Sequence, residues 1–177
     1  ETFCALRTSV NNWRWTGVPF YLRTGKRLAR RFSEIVIEFK PQPFSIFPLK
    51  PGEQNCNRLL IRLQPEENIT LWMLNKKPEL SPTMSLQSVP LDLTTSQRGG
   101  KDLGYEAYVR LLLDVINDNQ TLFMRRDEVE TAWSWADSLI SAWQELHQPP
   151  LPYLAGSMGP DAAVNLIGRD NLNWFVD

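Results

Sequence analysis

Hydrophobic and polar residues alternate singly along the first half of the chain and recur at three- and four-residue steps in the second. From Ser33 to Lys40, Ile35, Ile37 and Phe39 share one parity while Glu34, Val36, Glu38 and Lys40 share the other. That is the period-two pattern of an antiparallel strand with one face buried. Asn57 to Gln64 repeats it, with Leu59, Ile61 and Leu63 set against Arg58, Leu60, Arg62 and Gln64. Pro65-Glu66-Glu67-Asn68 is turn-forming, so Ile69 to Leu74 is expected to pair back as a hairpin, and Val89 to Thr95 to add a further strand. Upstream, Thr2 to Val10 and Phe20 to Arg23 read as extended segments around the turn-rich stretch 11–19. Pro41 to Asn57 reads as a loop, and the stretch from Lys76 to Pro90 as a polar connection.

After Gly99-Gly100 the period changes. Tyr108, Leu111, Leu112 and Val115 form one stripe of a helix over Tyr105 to Ile116. A second helix is expected from Asp127, with Asp127 and Glu130 as a capping-box-like pair, to about His147. Its apolar stripe would be Val129, Ala132, Trp133, Ala136, Ile140 and Trp143, which places Trp133 and Trp143 in the core. Gln148 to Pro152 ends it, and a Gly- and Pro-containing tail follows. Strands first and helices afterwards predict an α+β fold, a large, mostly antiparallel sheet with helices on one face, over residues 1–177. Such a sheet leaves its other face available. A chain of 177 residues favours one domain and needs no metal or disulfide staple.

Composition removes whole classes of function. At 42% hydrophobic and 22% charged the chain is neither disordered nor collagen-like. Lys+Arg 19 against Asp+Glu 20 gives a net charge of −1, which argues against a chain-wide footprint for nucleic acid or an anionic membrane surface. Any anion site must be local. No apolar run approaches the roughly 18 residues of a membrane span, and the beginning of the chain has no signal-peptide pattern, so a cytoplasmic protein is expected. Thr2 to Val10 already reads as a strand, which predicts a domain cut from a longer chain.

Few residues offer chemistry. Cys4 and Cys56 lie far apart in segments read as strands and are expected to be buried, reduced thiols; one histidine, His147, excludes multi-histidine metal sites. His147 falls where a cation complements a helix C-terminus. There is no nucleophile elbow, Walker motif or dinucleotide fingerprint, and Gly99-Gly100-Lys101 lacks the spacing of a phosphate loop, leaving a plain turn. The outstanding feature is the segment Arg23 to Arg31, with five cations in nine residues. It is open to two readings, a solvated basic loop or a phosphate pocket in which Gly25 permits a tight turn and Lys and Arg heads supply charge and forked donors. Arg58, Arg62 and Gln64 share a strand face and need polar partners if covered. Among seven tryptophans, Trp13 and Trp15 are the candidates for a sugar-binding platform.

Motifs then narrow the field. Asn12-Trp13-Arg14-Trp15-x-Gly17-Val18-Pro19-Phe20-Tyr21-Leu22-Arg23-Thr24-Gly25-Lys26-Arg27-Leu28 resembles the C-terminal domain of the glucose-6-phosphate dehydrogenase family. Asn57-Arg58-Leu59-x-Ile61-Arg62-Leu63-Gln64-Pro65, Asn75-Lys76-Lys77-Pro78, Leu91-Asp92-Leu93, Tyr108-x-Arg110-Leu111-x-Leu113-Asp114-Val115 and Ala155-Gly156-Ser157-x-Gly159-Pro160 follow in order, the tail being similar to bacterial members.

The resemblance implies oxidation of glucose 6-phosphate to the 6-phosphogluconolactone, in the pentose phosphate pathway, with NADP as hydride acceptor. It also implies a homodimer or homotetramer assembled through the open sheet face. The family's Rossmann NADP-binding domain and catalytic-histidine segment would precede Glu1, so the chain by itself is expected to hold no catalytic residue and to be inactive. Substrate contacts implied by motif position are Lys26, Arg31, where bacterial members commonly carry lysine, and Gln64. Arg23, Arg62 and Asp92 match parts of a second, structural NADP site of animal members, but Phe32, Val36, Thr70 and Trp72 replace its partners, so no cofactor is expected on this chain. The rival readings are a non-catalytic scaffold or regulatory relative using the same sheet, and a sugar-binding module.

Overall fold

In the computed structural model, which describes residues 2–44, 47, 56–79, 85–93, 107–147 and 149–175, all six strands pair antiparallel. The chain divides into two compact units, residues 1–96 with 152–177, and residues 97–151. In the first, β1 (Phe3–Ser9) and β2 (Pro19–Gly25) form a two-stranded sheet, and β3 (Ser33–Glu38), β4 (Arg58–Gln64), β5 (Asn68–Lys76) and β6 (Leu86–Asp92) form a four-stranded one in that order. Hydrogen bonding thus divides the expected sheet into four strands plus two. β6 starts three residues before the hydrophobic pattern does, because the ladder carries Leu86, Gln87 and Ser88 opposite Lys76, Asn75 and Leu74. Main-chain pairing recruits polar residues that carry no strand signal of their own. The expected strand end at 94–95 lies outside the described residues. Cys4 is in β1, whereas Cys56 precedes β4 rather than lying in a strand; neither is disulfide-bonded, and Cys56 is buried.

The better covered face of the four-stranded sheet is the charged one. Register sets Glu38 opposite Arg58, Val36 opposite Leu60 and Glu34 beside Arg62. Ion pairs close at 2.7 Å for Arg58–Glu38 and 3.1 Å for Arg62–Glu34, with Leu60 only 5% exposed between them. On the opposite face Ile35, Ile37, Phe39, Leu63, Met73 and Leu91 are exposed.

A third helix in chain order, α3 (Asp161–Gly168), occupies what the sequence suggests is only a tail. Pro160 is its N-cap in extended conformation, Asp161 favours the positive end of the helix dipole, and Ala163 and Ile167, four residues apart, are buried. The helix packs on β1. Beyond it, Trp174 donates from Nε1 to the Ala163 carbonyl at 2.8 Å, stacks with Arg23 at 4.5 Å and meets Tyr21 edge-on. Phe175 lies 5.8 Å from the Arg58 guanidinium. The tail therefore bridges β2 and the charged face of the four-stranded sheet.

In the second unit, α1 (Ala107–Ile116) and α2 (Arg126–Glu145) are joined by a turn in which Asn119 accepts from Thr121 and donates to Asp114. The N-cap of α2 is Arg125, not Asp127; the Arg125 amide donates to the Glu128 carboxylate at 3.1 Å. The acidic run Asp127-Glu128-Glu130 permits either frame, and the reach of Glu128 back to residue 125 selects the earlier one. Half-buried positions on α2 are Val129, Ala136, Leu139 and Trp143, so the stripe passes through Leu139 rather than Ile140. Trp133 is 63% exposed and is not core. His147, at φ 50°, contacts the Glu145 carbonyl through Nδ1 at the helix end.

Two outcomes follow from this packing. At Gly159 (φ 104°) an added Cβ would come within 2.6 Å of Phe3 Cζ, so Gly159→Ala should cost at least about 2 kcal/mol. Gly168→Ala, which meets nothing within 4 Å, should be near neutral in the same urea titrations. Burial, with Glu38 adding to it, pushes the Cys56 thiol up to about 11. Its alkylation by iodoacetamide should therefore inflect near that pH, well above the roughly 8.5 of a free cysteine. An inflection near 8.5 would show the thiol to be solvated.

Candidate functional site

The basic segment begins at the end of β2 and is held by the main chain of a distant segment. Gly25 has no left-handed φ; a Cβ there would stand 2.7 Å from Phe3 Cδ2 and 3.2 Å from Leu28. The glycine answers a close approach rather than the tight turn expected of it. Just beyond, the Lys26 amide donates to the Thr2 carbonyl at 2.8 Å, the Gly156 amide to the Arg27 carbonyl at 2.8 Å, and the Ala29 amide to the Ser157 carbonyl at 2.9 Å. The Tyr153 hydroxyl reaches the carbonyls of Lys26 (2.7 Å) and Thr2 (3.0 Å). Arg27 takes φ 51°, a conformation a non-glycine residue keeps only when its surroundings impose it. So although the side chains of Lys26, Arg27, Arg30 and Arg31 are exposed, the loop that carries them is clamped.

Past the clamp, Arg30, Arg31, Phe32, Glu34, Arg62 and Pro65 line a cleft of about 200 Å³. Glu34 is committed to Arg62 by their ion pair, and the Arg30 guanidinium stacks over the Phe32 ring at 5.6 Å. Counting charges, three guanidinium groups face one carboxylate, an excess suited to an anion. Of the three residues singled out by sequence, Arg31 lines this cleft. Gln64 adjoins Pro65 and pairs with Ser33, two residues after Arg31. Lys26 lies outside the lining; neither it nor Arg31 has an ion-pair partner among the described residues. Sequence reasoning did not single out Arg30 and Glu34. The only available signal was that Glu34 shares parity with the strand position facing Arg62.

Several polar residues elsewhere are engaged by defined partners. Arg58 and Arg62, which had to find partners if covered, have them in Glu38 and Glu34. Burial pulls the Arg23 guanidinium below its ordinary value, with Glu34 opposing, while Trp174 covers its face. Arg7, Tyr21 and Asp170 form a hydrogen-bonded triad that ties β1 and β2 to the second residue after α3 and holds the Asp170 carboxyl below its usual range. In the β1–β2 turn, Asn12 Oδ1 accepts from the amides of Arg14 and Trp15; Trp15 packs edge-on to Phe20, leaving Trp13, 90% exposed, as the platform candidate. No group of three or more residues suited to a metal ion, and no helix long and apolar enough to cross a membrane, occurs among the described residues. Gly99-Gly100-Lys101 lies outside them.

The model of the glucose-6-phosphate dehydrogenase C-terminal domain matches residues 1–175. The chain belongs to this family. It is 49% identical over 174 residues to the glucose-6-phosphate 1-dehydrogenase of Rhizobium meliloti (strain 1021), covering 98% of this chain and 35% of that protein. To the enzyme of the same name from Mycolicibacterium smegmatis it is 48% identical, covering 98% and 34%. The chain thus spans about a third of the length of these relatives. Among solved structures, a glucose-6-phosphate dehydrogenase in complex with its substrate glucose-6-phosphate superposes with a TM-score of 0.79 at 32% identity, over 99% of this chain and 35% of the other. The α+β architecture expected from the strand and helix order is that of this family's domain.

The clamp gives the domain a measurable signature. Tyr153→Phe removes the hydroxyl shared by the Lys26 and Thr2 carbonyls, so hydrogen exchange at the Lys26 and Gly156 amides should accelerate about tenfold, the equivalent of one net hydrogen bond. Amides of β4 should not respond. Unchanged exchange at Lys26 would mean the loop is held without Tyr153.

Proposed function

We propose that this chain is the substrate-binding and oligomerisation part of an NADP-dependent, cytoplasmic glucose-6-phosphate dehydrogenase. In this reading Lys26, Arg31 and Gln64 contact glucose 6-phosphate, and the nicotinamide cofactor and catalytic base belong to a Rossmann domain and histidine segment outside these 177 residues. The observation that carries it is the clamped basic loop, which presents Lys26 and leads Arg31 into a cleft with an excess of positive charge. A phosphate ester is close to a dianion at neutral pH, and fixed guanidinium and ammonium groups bind it by charge-assisted hydrogen bonds. Gln64, next to Pro65 of the cleft, offers donors and an acceptor for a sugar hydroxyl. The identity to named dehydrogenases supports the same substrate.

For the second, structural NADP the residues present do not fit. Arg23 lies against Trp174 and Arg62 against Glu34, and Phe32, Val36, Thr70 and Trp72 bring no cation to that face. In this reading the NADP that accepts the hydride is held by the Rossmann domain, not by a second site on this face. The 177-residue chain alone should reduce no NADP with glucose 6-phosphate.

A second copy of this chain is the proposed occupant of the exposed apolar face of the four-stranded sheet. Ile35, Ile37, Met73 and Leu91 share that face and are exposed, and an isologous dimer would pair this patch with itself.

Two measurements on the full-length dehydrogenase test the reading. Lys26→Ala should raise the KM for glucose 6-phosphate roughly 10- to 150-fold, the worth of one charge-assisted hydrogen bond, while the KM for NADP stays within about twofold. An unchanged substrate KM would remove Lys26 from the site. Met73→Glu, a charge placed on the apolar face, should lower the oligomer order in sedimentation velocity. A sedimentation profile identical to wild type would exclude that face as the interface.

A further inference from the structure

We propose that Tyr153 is a positioning residue for Lys26, and that its hydroxyl, without touching substrate, sets the affinity for the sugar phosphate. The inference rests on the reading that Lys26 meets glucose 6-phosphate. Both hydrogen-bonding groups of the Lys26 main chain are held. Its amide donates to the Thr2 carbonyl at 2.8 Å, and its carbonyl accepts from the Tyr153 hydroxyl at 2.7 Å. With the peptide planes on either side fixed, the Cα–Cβ bond of Lys26 leaves the chain in one direction, and only side-chain rotamers remain to be chosen. The same hydroxyl lies 3.0 Å from the Thr2 carbonyl, so one group ties Lys26 to the start of β1.

Tyr153 is itself fixed. Its ring packs on Phe3 with centroids 5.4 Å apart, and the residues after it bond to the same loop, the Gly156 amide to the Arg27 carbonyl and the Ser157 carbonyl to the Ala29 amide. The next residue of the loop gives this clamp something to resist. Arg27, at φ 51°, occupies a region that a non-glycine residue leaves when it can. Rotation of the Lys26–Arg27 peptide is the way out, and it turns the Lys26 carbonyl away from Tyr153. Loss of the hydroxyl therefore favours arrangements in which Lys26 points elsewhere. A substrate that binds only one arrangement loses apparent affinity in proportion to the population of that arrangement. The phosphate is remote from the carbon that is oxidised, so its contacts are alike in ground and transition states and the loss falls on KM rather than kcat.

The test is a double-mutant cycle in the full-length enzyme, reading kcat and the KM values for glucose 6-phosphate and NADP in wild type, Tyr153→Phe, Lys26→Ala and the double variant. Phenylalanine keeps the ring against Phe3, and KM is independent of the fraction of enzyme that folds. Tyr153→Phe should raise the KM for glucose 6-phosphate roughly three- to tenfold, with kcat and the KM for NADP within about twofold. In the Lys26→Ala background the same change should add less than about 1.5-fold, because the group that Tyr153 positions is gone. An unchanged substrate KM in Tyr153→Phe, or a loss carried by kcat, would overturn the role. An equal multiplicative rise in both backgrounds would overturn it too, since the hydroxyl would then act other than through Lys26. In each of these cases the substrate site stands as long as Lys26→Ala raises the substrate KM. If Lys26→Ala leaves that KM unchanged, the site falls and this inference with it.

Discussion

The closure of the Tyr153–Gly159 segment onto the start of the chain is the constraint on which the rest of the first unit depends. Phe3 is enclosed by Gly25, Gly159 and the Tyr153 ring, and the main chain of 26–29 is bonded to Thr2, Gly156 and Ser157. The contacts made by Tyr153, Gly156, Ser157 and Gly159 join residues more than 120 positions apart, and those of residues 2–3 with 25–26 close the end of the β1–β2 ladder. A loop with four cations would repel itself into many conformations if it were free. Held by its backbone, it presents them in one arrangement, which is the condition for recognising an anion without first ordering the chain.

The same tail organises the charged face. Trp174 and Phe175 lie against Arg23 and Arg58, and cross-strand pairs Arg58–Glu38 and Arg62–Glu34 neutralise what would otherwise be costly cations on the covered face. Aromatic faces are a suitable cover because they accept a guanidinium plane without demanding further hydrogen bonds. Pairing Glu34 with Arg62 also decides the electrostatics of the cleft, since it removes the one carboxylate that could have quenched Arg31. The opposite face of the sheet carries exposed Ile, Leu, Met and Phe side chains, so in the function proposed above the two faces divide between anion recognition and assembly.

Much of this was legible in the chain itself. Period-two alternation located β3, β4 and the core of β5, and three- and four-residue steps located α1 and α2, because those periods are consequences of backbone geometry that any burial must respect. The long motif from Asn12 to Leu28 and the ordered motifs after it led to the family, and with it to Lys26, Arg31 and Gln64. What pattern alone did not carry was partnership. Whether a polar strand face is solvated or covered depends on which distant segment lies on it, and here the cover comes from residues 174 and 175. The helix α3 escaped notice for the same reason: it is short, and its two buried residues acquire meaning only against β1. Gly25 looked like a turn residue because glycine has two uses, and only the approach of Phe3 tells them apart. By itself the sequence determined local period, element type and the supply of cations. Tertiary structure alone decided which cations are spent on internal partners and which are gathered into one cleft, because ion pairing and close packing are set by distances across space that no spacing along the chain encodes.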